Sequence, residues 1–130
     1  MASIFTKIIN RELPAYIVAE DNHHLAFLDV KPVKRGHLLV IPKTEIDYIF
    51  NMSDEAYTKL NLFAKKVAQA MSQAISCKRI GTAVVGLEVP HVHIHLIPLD
   101  NLSDLDFTKE RLNLAPKEFE SIRDQIISKL

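Results

Sequence analysis

The sequence predicts an α+β fold in which an antiparallel sheet packs against helices. Two observations point there. Segments that read as strands are grouped before and after one long amphipathic stretch, with a second helical stretch at the end, and do not alternate with helices one by one. The first two strand segments are also joined by only a few turn-forming residues, a hairpin signature that belongs to antiparallel pairs. At 130 residues, 48% hydrophobic and 25% charged, the chain is long enough for one domain with its own core, spanning 1–130.

Taken in order, Ile4 to Ile9 is a short apolar patch that reads as one or two helical turns, closed before Pro14. Tyr16 to Glu20 and His24 to Val30 read as strands around the turn chemistry of Asp21-Asn22-His23. Lys31 to Gly36 is a polar loop, and His37 to Ile41 is an apolar strand stopped by Pro42. Ser53 to Ser76 is the clearest helix. Ser53 suits the N-cap, and Asp54 and Glu55 suit the positive end of the dipole. Ala56, Leu60, Phe63, Val67, Ala70 and Ala74 recur at helical spacing and mark its core face. Ile80 to Val85 is a strand broken by Gly86, and His91 to Pro98 is the last strand. Asp100 to Asp106 reads as a mobile polar stretch. Pro116 opens a final helix with Phe119, Ile122, Ile126 and Leu130 on one apolar face.

Composition excludes several classes. Lys+Arg and Asp+Glu both number 16, which argues against nucleic-acid binding driven by a basic surface. A small phosphorylated ligand, held by a few local groups, remains compatible. The single cysteine, Cys77, permits neither an internal disulfide nor a thiolate zinc cluster, and is expected as apolar filler near the end of the long helix. The N-terminal residues carry no signal-peptide core, and no apolar run approaches the roughly 18 residues of a membrane span. The expected setting is the cytoplasm, with no membrane partner.

His91-Val92-His93-Ile94-His95-Leu96-Ile97 places three of the six histidines at alternate positions. On a strand all three point to one face, about 7 Å apart, while Val92, Ile94 and Leu96 pack on the other. No packing requirement calls for three imidazoles in a row. Two chemistries fit. Imidazoles on one strand bind zinc or iron, with His23, His24 and His37 as further candidates, which leaves a metal-dependent enzyme open. Alternatively, a neutral ring nitrogen attacks phosphorus while its neighbours hold the tautomer and donate to phosphate oxygens.

The segment resembles the His-x-His-x-His-x-x signature of the histidine-triad (HIT) nucleotide hydrolases and transferases. Ile4-Phe5-Thr6-Lys7-Ile8-Ile9, Leu13-Pro14-Ala15, Phe27-Leu28-Asp29 and the block from Gly36 to Lys43 are similar to that family's landmarks, in order. The resemblance runs from about Ile4 to Pro98, leaving 99–130 as a C-terminal extension with a helix. It implies a five-stranded antiparallel sheet, one long helix and a homodimer. It further implies that His93 is the nucleophile, that His91, His95 and His37 support it, and that Asp29 hydrogen-bonds the ribose hydroxyls. Phe5, Ile8, Phe27 and Leu28 would sandwich the base. The activity implied is hydrolysis of a purine nucleoside 5′-phosphoramidate or a related nucleoside monophosphate conjugate, without a cofactor. Alternatives are a dinucleoside polyphosphate hydrolase and a non-catalytic nucleotide-binding or scaffold protein.

Three departures bear on the substrate. Zinc-holding members carry Cys-x-x-Cys and a later histidine where this chain has Ser3, Thr6 and Glu45, so no metal is expected. Many members carry a glutamine where Leu87 stands, and Glu88, which follows it, is a candidate nucleotide-binding residue that would repel extra negative charge if it faces the site. The asparagine usual before that glycine is absent, because Val85 runs straight into Gly86.

Overall fold

The computed structural model describes residues 2–130; Met1, the first residue of the expected domain, lies outside them. Ser3 caps the first helix, α1 (Ile4–Ile9), its side chain accepting from Thr6 N. Strands β1 (Ile17–Glu20), β2 (His24–Leu28) and β3 (Leu38–Pro42) follow, then the long helix α2 (Asp54–Ala74). Strands β4 (Arg79–Ala83) and β5 (Ile94–Leu99) precede the final helix, α3 (Pro116–Ile127). The five strands form one sheet in the order β1-β2-β3-β5-β4, every neighbouring pair antiparallel.

Alternation along the strands sorts side chains to two layers. Ala26, Leu28, Leu38, Val40, Ile94 and Leu96 join a core under α2 and α3, with Leu60, Val67, Ile122 and Ile126. Leu25, Phe27, Leu39 and Ile41 face the other way and are covered by Phe5 and Ile8 of α1. Burial on both faces explains why β2 and β3 read as nearly unbroken apolar runs.

Several expectations are corrected. The last strand begins at Ile94, so His91 and His93 precede it. Their backbone is engaged elsewhere: Val92 N donates to Ile46 O, and the His91 carbonyl accepts from the His93 ring. Similarly, β3 takes in Pro42, opposite His24, and leaves His37 just outside. The buried face of α2 is Leu60, Ala64, Val67, Ala70 and Met71, while Ala56, Phe63 and Ala74 are its partly buried margins. Cys77 lies beyond the cap at Ile75 and is half-buried. Leu130 follows the end of α3 and is 47% exposed, so it does not extend that helix's apolar face.

The stretch from Asp100 to Asp106 is not a loose tether. It carries a 3-10 turn, Leu102–Leu105, whose Asp104 is buried. Asp104 Oδ2 accepts from Asp100 N, Asn101 N and Lys34 Nζ, at 2.8, 3.0 and 2.8 Å. The Lys34 ammonium, with those two amides, holds this carboxyl well below the usual range. Lys34 also reaches Asp100 at 3.1 Å, which fastens the chain after β5 to the loop before β3.

Candidate active site

Between α1 and its face of the sheet lies a cavity of about 640 Å³. Phe5, Ile8, Phe27 and Leu39 form its apolar wall, with Phe5 edge-on to Phe27 at 5.6 Å. Asp29, Glu88, His93, His95 and Arg111 supply its polar rim. Leu28 borders the cavity, but its side chain packs in the opposite core under α2, which corrects its expected place against a base. Leu87 is 88% exposed and points to solvent.

Hydrogen-bond partners fix which ring nitrogen carries the proton on each histidine. A carbonyl can only accept, so His93 Nδ1, 2.7 Å from His91 O, is protonated. In the neutral ring this leaves a lone pair on His93 Nε2. The same reasoning applies to His91, whose Nε2 donates to Pro42 O at 2.8 Å and whose Nδ1 accepts from Ser3 Oγ at 2.8 Å. At His37, the Val33 amide donates to Nδ1 at 3.1 Å, which puts the proton on Nε2. That proton is donated to His95 Nδ1 at 2.9 Å, so His95 carries its own proton on Nε2.

These rings do not form a simple row. His93 and His95 are neighbours, with ring centroids 4.9 Å apart, and both line the cavity. His91 is fully buried on the same side of the sheet, its ring 5.8 Å from Phe5 and held by Ser3 and Pro42, so the three rings share the expected face although only two of them line the cavity. His23 and His24 lie apart from the site; His24 contacts Asp21 and stacks on Phe63 at 5.0 Å.

The electrostatics keep His37, His91 and His95 neutral. Burial pushes His37 down to about 3, with help from His95 and Arg111. Burial and then His93 lower His95 to about 4. Burial also lowers His91. Consequently the 3.7 Å approach of His37 Nε2 to Asp29 Oδ2 is not an ion pair, because a neutral imidazole stands there. Asp29 is shifted the other way, raised above the usual carboxylate range by burial, against the Lys31 amide and the Arg111 charge. Asp29, His37 and His95 bring possible metal-ligand atoms within 4.8 Å of one another. In this arrangement the two facing ring nitrogens are engaged with each other.

Ser3, Thr6 and Glu45 meet around His91. Glu45 Oε1 accepts from Ser3 N at 2.5 Å and from Thr6 Oγ1 at 2.8 Å, bonds that pull Glu45 down to about 2. Glu45 thus ties down the residue that caps α1 and holds His91.

Sequence reasoning missed two residues, Phe107 and Arg111. The Phe107 ring lies 4.7 Å from His95 and 6.2 Å from His37. Arg111 sits over Phe107 at 5.8 Å, donates to Lys31 O at 2.8 Å and lines the cavity. Neither carries a motif, because their place follows from the Asp104 turn and not from local spacing.

Comparison with known proteins adds three findings. The HIT domain model matches residues 10–102. An uncharacterised HIT-like protein of Borreliella burgdorferi is 37% identical over 131 residues, covering 95% of this chain and 94% of that one. The adenosine 5′-monophosphoramidase of Schizosaccharomyces pombe is 32% identical over 132 residues, covering 100% of this chain and 99% of the relative. Among solved structures, a HIT-like protein from Bartonella henselae superposes with a TM-score of 0.85 at 26% identity, covering 98% of this chain and 96% of that one.

Proposed function

This chain belongs to the HIT (histidine triad) family, and on that premise we propose that it hydrolyses a purine nucleoside 5′-phosphoramidate, or a related nucleoside monophosphate conjugate, at the α-phosphorus. The carrying observation is the His93 lone pair. With Nδ1 donating to His91 O, the ring presents Nε2 as a nucleophile beside the cavity. A cavity of about 640 Å³ suits a nucleotide, with the base against Phe5, Ile8 and Phe27. Asp29 accepts from the ribose hydroxyls.

In the first step His93 Nε2 bonds to phosphorus and the phosphorus–nitrogen bond breaks. His95, protonated on Nε2, gives that proton to the departing nitrogen and recovers one from the water of the second step. In the second step water displaces the nucleotide from the imidazole. One water is consumed overall: its hydroxyl ends on phosphorus and its proton on the amine. His37 positions His95, and His91 positions His93 through its carbonyl. The adenosine 5′-monophosphoramidase relative supports this choice of bond. No helix is long and apolar enough to cross a membrane.

The test pairs turnover with trapping. His93→Ala should lower turnover of adenosine 5′-phosphoramidate by at least about a thousandfold while AMP still binds, because the covalent route is lost. Mass spectrometry of the quenched wild type should find a nucleotidyl adduct on His93. Activity of the variant within tenfold of wild type would sink the assignment.

A further inference from the structure

Arg111 lies outside the residues matched by the family model, yet it stands on the cavity rim. Its segment is brought there by the Lys34–Asp104 contact and by Leu112 N donating to Pro32 O at 2.9 Å. The guanidinium is anchored by the Lys31 carbonyl and by the Phe107 ring, and its Nη1 lies 3.9 Å from Asp29 Oδ2. Asp29 is an awkward carboxylate. Its side chain is only 17% exposed, and its one hydrogen bond among the described residues is from the Lys31 amide to Oδ1, at 2.8 Å. Oδ2 is bonded to neither His37 nor Arg111, so its acceptor capacity remains for a ligand.

A carboxylate this secluded needs a nearby positive charge to remain ionised, and an ionised carboxylate is the form that accepts from two hydroxyls. His37 and His95 are neutral, and Glu88 adds a second negative charge on the same rim. Of the charges that favour ionised Asp29, that of Arg111 acts most strongly, ahead of His93. We propose that Arg111 is a positioning residue for sugar recognition, holding Asp29 ionised and aimed so that the site selects ribose over deoxyribose. This rests on the proposed nucleotide site and assigns a specificity role within it to the C-terminal segment.

The experiment measures binding of AMP and of 2′,3′-dideoxy-AMP by calorimetry, to the wild type, Arg111→Met and Arg111→Lys. The wild type should favour AMP by about tenfold or more, since the dideoxy ligand leaves the buried acceptor unpaired. Arg111→Met should bring that ratio to about threefold or less, and Arg111→Lys should recover part of it. A residue that only braced the segment would weaken both ligands alike and leave the ratio unchanged, which would overturn the inference. Failure of the wild type to bind AMP would overturn the proposed function and this inference together. Binding of AMP without preference over the dideoxy form would overturn the inference alone.

Discussion

The proton on His37 Nε2 is fixed by one backbone amide, that of Val33, and from it follows the protonation of His95. Both rings are held neutral, near about 3 and about 4, against 6.5 for an ordinary histidine. In the window from pH 6.5 down to about 4, the unfolded chain takes up protons that the folded chain refuses. The stability these rings contribute is therefore fully present above pH 6.5 and is lost as pH falls through that window. Each group steepens the loss by at most about 1.4 kcal/mol per pH unit. Urea unfolding at several values between pH 4.5 and 7.5 should show the slope, and His37→Gln should reduce it. A flat profile would mean that the two rings charge freely in the folded state. The cavity's charged groups also bear on substrate choice. Asp29 and Glu88 balance Lys31 and Arg111, so the rim offers no net positive field to a polyphosphate chain. Adenosine phosphoramidate should accordingly have a higher kcat/KM than diadenosine triphosphate. Parity between the two substrates would show that Arg111 and the histidines suffice for the longer chain.

Among the elements, α1 is the shortest of the three α-helices described and carries a disproportionate share of the site. Its cap, Ser3, accepts from Thr6 N and donates to His91, while its Phe5 lies edge-on to His93 at 5.0 Å. Ser3→Ala removes both bonds and should cost about 1–2 kcal/mol of stability, read from the urea midpoint. Kcat should fall with it, because His91 supports the carbonyl on which His93 relies. The hydroxyls of Ser3 and Thr6 are poor zinc ligands, and the Glu45 carboxylate is already engaged by both residues. The Tm should therefore be the same in EDTA as in buffer; a drop of several degrees would reveal a metal in this cluster. Elements with strong local periodicity were readable from sequence. The Ser53 cap and the 3.6-residue spacing located α2, and alternation placed Val92, Ile94 and Leu96 in the core under it. Where tertiary hydrogen bonds compete, local pattern misled. His91 looks like a strand residue, but its ring is drawn back to Ser3 and Pro42. Asp100 to Asp106 looks loose by composition, but Lys34, 70 residues before Asp104, closes it and so delivers Phe107 and Arg111. Such pairings leave no periodic trace.

At the scale of the whole molecule, the sheet ends in two edges that differ in chemistry. At the β1 edge, Glu20 pairs with Arg11 at 2.6 Å and with Lys43 at 2.7 Å, charges of the kind that discourage strand pairing. Among the described residues the β4 edge has no such network, and it is followed by Val84 and Val85, both more than 40% exposed. Nearby, a second cavity of about 670 Å³ is lined by Tyr48, Phe50, Tyr57 and Val84, and it too reaches His93. Phe50 is 71% exposed and shares this cavity with exposed Tyr48 and Val84, so the uncovered apolar side chains are grouped here and not scattered singly. The equal counts of 16 basic and 16 acidic residues oppose no self-association by net charge. A second copy joined about a two-fold axis, with β4 edges and these aromatic patches facing, would cover the surface in the self-complementary way that such symmetry requires. Sedimentation velocity at micromolar concentration should accordingly give a species near twice 14.7 kDa. Phe50→Asp combined with Val84→Lys places charges on the patch without altering a residue that lines the Asp29 cavity, and should release monomer. Because the patch adjoins His93, the monomer should also turn over substrate more slowly, its rim losing a covering wall. A wild type that sediments as a monomer while fully active would remove the second copy from the reading of this site.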